Sequence, residues 1–525
     1  MPTRTGKCIL ARDINIDKDY TNVLSYSESN MLSLIQSNAV ATMSDCSFIR
    51  PDGNEIDVNT SYGTAIQANY IAFENPDYNN KWFFAFIEEV KYVSNGTTRI
   101  IFQIDDFSTW WSFWSPKSCF VIREHIANDT IGNNLVPENV ETGEYVNNGS
   151  PTFCGFGGGK FYCTTTSYLP DGTSVLGTNC GGIPMAGAIM GSKYWQQTAY
   201  GIQEIANNGQ MDGIQQVFII PFELADLGNT YWNQHGSDSE DDHTWWDFKG
   251  RTTPITKTTN FARPSQLNGY TPRNKKLLTG QFMFAMLDNF AGTVNKLEYE
   301  YFNDPSNIVI EARGVISVGC SITVYPKNYK GDTYNVMEGV MQGKFPTLSW
   351  SGDSFTNWLT QNSVNISTGL ISAGASLALA PTAPQSAISG GLSIMSTIGQ
   401  IYQHSICPQS VRGNTNGGDT LTANNLNNVV IHSMSIRSEF AQRIDQYFDK
   451  YGYATNKLKS PNITGRTYWN FIQISNDDCI GYSKNQSVSV PPKAMENINN
   501  IFRKGVTVWH NHANIGNYSL NNTIV

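Results

Sequence analysis

Alternation of apolar and polar residues is clearest in two stretches. Residues 81–105, KWFFAFIEEVKYVSNGTTRIIFQID, form two β-rich runs meeting at Asn95-Gly96, a dipeptide suited to the positive φ values of a tight hairpin. The pattern predicts a second hairpin farther on: LEYEYF (297–302), a turn at NDPSN, then IVIEARGVISVGCSITVY (308–325), rich in β-branched residues. Helical periodicity is clear only near the end. Phe440, Ile444, Tyr447, Phe448 and Tyr451 fall at i, i+4, i+7, i+8 and i+11 behind a capping Ser438, and Gly452 is placed to stop that helix. A shorter helix, Met495 to Lys504, presents Ile498, Ile501 and Phe502 and ends at Gly505.

One stretch follows neither period. STGLISAGASLALAPTAPQSAISGGLSIMSTIGQIY, residues 367–402, lies within 58 consecutive residues, Ser354 to Val411, that contain no Asp, Glu, Lys or Arg. At 15% charged residues, about nine would be expected in such a window. Gly369 to Ala380 and Ala387 to Ile401 would make helices of about 18 and 22 Å, short of a hydrocarbon core of roughly 30 Å. The Pro381-Thr382-Ala383-Pro384 break keeps them from joining. Ten large apolar side chains (Leu370, Ile371, Leu377, Leu379, Ile388, Leu392, Ile394, Met395, Ile398 and Ile401) put roughly 15–30 kcal/mol of burial at stake, too much to leave in water. Two readings stay open on these residues alone. One is a buried helical hairpin in an ordinary core, against which stands the lack of a charged solvent face. The other is a stored, membrane-active segment, for which abundant Gly, Ala and Ser allow close backbone packing.

Composition places this stretch in a folded chain. With 525 residues, 40% hydrophobic and 12% aromatic, several domains and real cores are expected. The hydrophobic and Gly/Asn patterning divides the chain into a β domain over 1–130, an irregular Gly/Asn-rich insertion over 131–270, a second β domain from 271–350 plus 430–525, and the hydrophobic insertion over 351–429. A net charge of -9 argues against a general nucleic-acid coat, which needs clustered Lys and Arg. Nine cysteines without a CxxC fit buried thiols made in a reducing cell. The first twenty residues, MPTRTGKCILARDINIDKDY, show no apolar run of signal-peptide length, so synthesis and assembly in a cytoplasm are expected.

Candidate chemistry is sparse. GFGGGK (155–160) lacks the Gly and the Ser/Thr that a phosphate loop requires at Cys154 and Phe161. Gly352-Asp353-Ser354 is followed by Phe355 and Thr356 rather than glycine, and neither GxSxG nor HExxH occurs. Asp238, Glu240, Asp241, Asp242, His243 and Asp247 are weak candidates for a hard metal such as Ca²⁺, in a spacing that matches no EF-hand and reads more simply as a solvated acidic loop. His510 and His512 point to one face of a strand without a third ligand. Trp110, Trp111 and Trp114 suit a core or subunit interface better than a sugar platform. These signals imply no enzyme and no cofactor.

Four stretches together resemble the tail knob, or distal tail tube, proteins of phi-29-like short-tailed phages infecting Gram-positive bacteria: YIAFENPDYNNKWFFAF (70–86), IDDFSTWW with FVIREH (104–111 and 120–125), FDKYGYATNKLKSPN (448–462) and IFRKGVTVWHNHANIGNYS (501–519). They run in family order over most of the chain, and none of them falls within 131–295. The resemblance implies a mainly β fold of two tail-tube-type β-barrel or sandwich domains with long loop insertions and a few short helices. It further implies a homo-hexamer at the distal end of the virion tail, in contact with other phage tail proteins. The hydrophobic loops would plug the lumen and, on infection, enter the host cytoplasmic membrane as a pore. Genomic DNA would pass without sequence-specific binding. His404, the one group in the uncharged run that titrates near neutrality, is a candidate pH sensor. The alternative is a receptor-binding or adhesive β protein that recognises cell-wall polymer through its aromatic clusters and acidic loop.

Overall fold

The computed structural model describes residues 6–46, 54–75, 78–175, 177–180, 183–185, 187–210, 213–228, 230–236, 244–288, 294–316, 321–331, 341–344, 347–349, 429–481 and 488–525. They form a mainly β protein with a few helices. Two compact units share the chain: unit 1 holds 1–141, 272–277 and 439–525, and unit 2 holds 142–271 and 278–438.

In unit 1 a six-stranded antiparallel sheet runs in the order Ala39–Cys46, Gly6–Ala11, Tyr70–Asn75, Lys81–Ser94, Thr97–Ile104, Glu55–Val58. A five-stranded sheet runs Asn22–Leu24, Val506–Trp509, Trp469–Ile474, Cys119–Glu124, Tyr453–Lys459, with its first pair parallel. Their facing side chains share one core. Leu10, Ile71, Phe73, Phe83, Ile100 and Phe102 from the first sheet meet Val121, Ile472, Ile474, Val506 and Val508 from the second. The other face of the first sheet, with Ile9, Tyr70, Ala72 and Phe84, is covered by Met31 and Ile35 of the helix Glu28–Ser37, whose N-cap Ser27 accepts from Asn30 N at 3.3 Å. Both faces being covered, strands such as Tyr70–Asn75 are buried nearly throughout rather than at alternate residues.

Unit 2 carries three larger antiparallel sheets. One has six strands in the order Trp232–His235, Trp245–Phe248, Ala188–Ser192, Lys160–Thr166, Ile214–Pro221, Thr347–Ser349. Another has four: Ile255–Phe261, Ile308–Gly314, Ser321–Pro326, Met341–Lys344. The third places Val430–Ile436 between Met283–Asp288 and the short strands Tyr145–Asn147 and Thr152–Phe153. The helix Trp195–Asn207 lies against the first of these sheets, with Ile205 buried among Leu169, Met190, Ile214 and Trp245.

Several expectations are met. The hairpin over 81–104 pairs as read, Ser94 lying opposite Thr97. The helices Ser438–Tyr451 and Pro492–Lys504 form and stop at glycines with φ of 65° and 90°. Gly452 is required twice over, because a Cβ there would strike the carbonyl of Glu124.

Other expectations are corrected. Neither Asn95 nor Gly96 has positive φ, and a register shift between Tyr92 and Ser94 lets an ordinary turn close the twisted pair. The second hairpin does not use 297–302: Tyr299–Tyr301 is a 3-10 turn, because the Tyr299 ring is buried and its hydroxyl reaches Ser433 Oγ at 3.1 Å. Ile308–Gly314 pairs instead with Ser321–Pro326 on one side and Ile255–Phe261 on the other. The region 131–270 is not an irregular insertion but supplies five strands of a six-stranded sheet. Residues 439–525 join 1–141 rather than 278–350, since three C-terminal strands share a sheet with Asn22–Leu24 and Cys119–Glu124.

Candidate functional site: the mount of the apolar run

The uncharged run, 354–411, falls in the sequence between two described strands of unit 2, Thr347–Ser349 and Val430–Ile436. The outgoing strand is three residues long and last in its sheet's order, held by the pairings Thr347 to Phe218, Leu348 to Val217 and Ser349 to Gln216. The returning strand Val430–Ile436 is seven residues long and hydrogen-bonded along both edges. It is held from its first residues onward. Val429 O accepts from Cys154 N at 3.0 Å, Ile436 N donates to Phe282 O at 3.0 Å, and Val430, Ile431 and Ile436 are buried. His432 Nδ1 lies 3.2 Å from Asn147 Oδ1. Among the described residues, one root is therefore the last strand of its sheet, paired along one edge, and the other is paired along both.

The ten apolar residues Leu370, Ile371, Leu377, Leu379, Ile388, Leu392, Ile394, Met395, Ile398 and Ile401 lie outside the described residues, as do His404 and Ser354. So do Asp238, Glu240, Asp241, Asp242 and His243. Asp247, the described member of that acidic set, is taken by side chains across its hairpin: Asn233 Nδ2 donates to it at 3.0 Å and His235, stacked on Trp245, also bonds it.

The remaining candidates take up structural positions. Gly157 N donates at 2.9 Å to Glu223 Oε2, so the Gly loop is taken by an exposed carboxylate of the same chain, which Lys257 also bonds. Burial pushes the Glu223 carboxyl up, and these donors outweigh it and leave it below its ordinary value. His510 lies between Ser25 Oγ at 2.9 Å and Asn470 Oδ1 at 3.0 Å, while His512 Nε2 accepts from Asn15 N at 3.2 Å, so the two do not converge. Trp110 and Trp114 are core residues, packed with Phe107, Phe83 and Phe502. Six cysteines among the described residues are buried thiols outside any disulfide: Cys8, Cys46, Cys119, Cys154, Cys163 and Cys479.

Local pattern gave no sign of a buried ionic cluster in unit 1. Residues 272–277 enter that unit alone and are pinned there. Arg273 N and Asn274 N donate to Asp445 at 2.8 and 3.0 Å, and Asn274 Nδ2 reaches Asp449 Oδ1 at 2.7 Å. Lys276 and Arg123 both pair with Glu138, which also accepts from Ala454 N at 2.8 Å. Burial pulls the Lys276 ammonium below its ordinary value although Glu138 opposes it. The signal available in sequence was Asp445 itself, an acid on the apolar stripe beside Ile444.

The stretches that carry the family resemblance, 70–86, 104–111, 120–125, 448–462 and 501–519, all fall in unit 1. Residues 247–523 match the family described as Bacillus phage phi29, tail knob protein gp9, C-terminal domain, and residues 4–113 match Caudoviral major tail protein N-terminus. The chain is 24% identical to the tail knob protein gp9 of Bacillus phage PZA, covering 99% of this chain and 98% of that one. It is 23% identical to that of Bacillus phage B103, covering 92% of each. The solved structure of the bacteriophage C1 tail knob protein, gp12, shares the fold at a TM-score of 0.62 and 14% identity, over 99% of this chain and 100% of that one. With a match that spans more than half its length, the chain belongs to the family of the phage phi29 tail knob protein gp9.

Proposed function

We propose that this protein, a structural component of a phage tail, forms the distal tail tube as a homo-hexamer whose apolar runs close the lumen and, on infection, enter the host cytoplasmic membrane. The genome then passes through the resulting pore, along a lumen that does not grip it, in keeping with the chain's net charge of -9. One observation carries the reading: 58 residues without a charge are slung between two strands of unit 2 in a chain that is otherwise 15% charged. Strong and weak roots suit a segment that is stored and later released, since three ladder residues give way more easily than seven. Polar flanks such as Gly413 to Asn428 supply reach.

The test is dye release from anionic liposomes. The intact protein releases dye, and protein lacking 364–406 still assembles but does not. Retained release by the deletion would falsify the pore assignment. His404 is the proposed pH sensor, so the leakage profile of His404→Gln loses its dependence near neutrality, and an unchanged profile removes that role.

A further inference from the structure

Two cysteines far apart in sequence meet within unit 1. Cys119 opens the strand Cys119–Glu124, and residues 475–481 fold back along 115–120. Ser475 N donates to Phe120 O at 2.9 Å, Phe120 N to Asp477 Oδ2 at 3.3 Å, and Lys117 N to Cys479 O at 2.7 Å. Beyond them Pro116 pairs with Ile480 and Ser115 with Gly481. Cys479 is fixed from the other side, its N–H donating to Asn499 Oδ1 at 3.0 Å from the helix Pro492–Lys504. This clasp brings the two thiols into hydrogen-bond contact, both free and each 1% exposed.

We propose that Cys119 and Cys479 are an oxidative modification site: a small peroxide converts the pair to a disulfide that ties together the two ends of the segment containing all of unit 2. Residues 142–271 and 278–438 lie entirely between them, the apolar run included. The bond would hold unit 1 closed while the apolar run of unit 2 moves. Only this use rests on the tail-tube reading; the chemistry stands on the clasp.

The step balances without a further reactant. The Cys119 thiolate attacks one peroxide oxygen; the O–O bond breaks, water leaves, and Cys119 becomes a sulfenic acid. The Cys479 sulfur then displaces the sulfenic oxygen as a second water, and the S–S bond forms. Two thiols are oxidised and one peroxide is reduced. The roles follow from the shared hydrogen bond, which lowers the Cys119 thiol and, with burial, raises Cys479. Burial favours a peroxide over a bulky disulfide as oxidant. The two equivalents of water leave no group behind in the core.

The experiment uses the full folded chain, incubated with hydrogen peroxide or with dithiothreitol, alkylated, digested with trypsin and mapped by mass spectrometry. The peroxide sample is expected to contain one species joining peptide 118–123 to peptide 467–484, lighter than their sum by two hydrogen atoms, and the reduced sample none. Cys119→Ser removes that species. Recovery of the two peptides singly from the peroxide-treated wild type, alkylated or carrying sulfonic acids, overturns the proposal. A link between Cys8 and Cys46, whose thiols also share a hydrogen bond, is a separate species in the same map and does not substitute for it. Because the readout is covalent, failure of the pore assignment would leave it unchanged.

Discussion

In unit 1 the buried carboxylate of Glu138 takes Lys276 from 138 residues away and the amide of Ala454 from 316. In unit 2 the carboxylate of Glu311 takes Arg313, Tyr325 and Lys327, the first two only 2 and 14 residues away. Both carboxylates lie inside, and each is matched by cations. The difference is what the contacts tie together. Beyond the nearby Arg123, those of Glu138 reach the middle and the last part of the chain, and Lys459 to Glu124 spans a separation of 335. Those of Glu311 join neighbouring strands of one local hairpin. A tie between distant segments forms only after a large loop has closed, and its loss undoes more than one element. The buried ion pairs of unit 1 therefore brace distant segments, whereas the Glu311 cluster of unit 2 braces one hairpin, and the long-range ties of unit 2 are strand pairs such as Tyr145–Asn147 with Val430–Ile436.

That contrast breaks if amide exchange responds alike in both units. Glu138→Gln strands two buried cations and is expected to cost unit 1 about 3–5 kcal/mol, read as faster exchange in Cys119–Glu124 and Trp469–Ile474 but not in Ile308–Gly314. Equal loss of protection in Ile308–Gly314 would show that the units do not differ in this way. Gly452→Ala forces a left-handed residue against the Glu124 carbonyl and should cost about 2–4 kcal/mol, again in the strands of unit 1, as measured by thermal unfolding with exchange.

His125 sharpens the comparison through pH. Burial, aided by nearby Arg466, lowers its pKa to about 3, while Phe471 N donates to its Nδ1 at 2.8 Å. The unfolded chain takes up a proton near pH 6.5 that the folded imidazole refuses. The stability this provides is complete above that pH and is lost as pH falls toward 3. Between pH 6.5 and 5 the wild type should lose about 2 kcal/mol more than His125→Gln, by denaturant unfolding at the two pH values. Parallel losses would mean that the ring is protonated in the fold. The smallest effect belongs to unit 2, where Lys257→Ala removes a half-exposed partner of Glu223 and should cost less than about 1 kcal/mol in the same assay.

Elements whose periodicity is local were readable in the sequence. Ile444 and Phe448 face the core as their spacing requires, and Ile498, Ile501 and Phe502 do so on the next helix. Phe440, Tyr447 and Tyr451 share that stripe but stay only partly buried, and Asp445 is buried among them because Arg273 and Asn274 arrive from another part of the chain. KFYCTTT at 160–166 was hidden by the glycines and asparagines around it. It is nonetheless the strand between Ala188–Ser192 and Ile214–Pro221, because turn residues mark where strands end and not whether they pair. LEYEYF alternates like a strand, yet a buried tyrosine hydroxyl with a partner on another sheet outweighs alternation.

The candidate site divides in the same manner. The uncharged run, its two short apolar halves and the Pro break between them are properties of composition and length, so the sequence by itself determined them. It also determined the mainly β character, through β-branched runs, and the two C-terminal helices, through their spacing and stop glycines. Only the tertiary structure decided that the C-terminal strands complete a sheet with Asn22–Leu24 and Cys119–Glu124, that residues 272–277 are pinned inside unit 1, and that, among the described residues, the run has one root paired along one edge and one paired along both. The reason is physical: backbone donors and acceptors are alike at every residue, so which strands pair is settled by the packing of distant side chains and not by any local pattern.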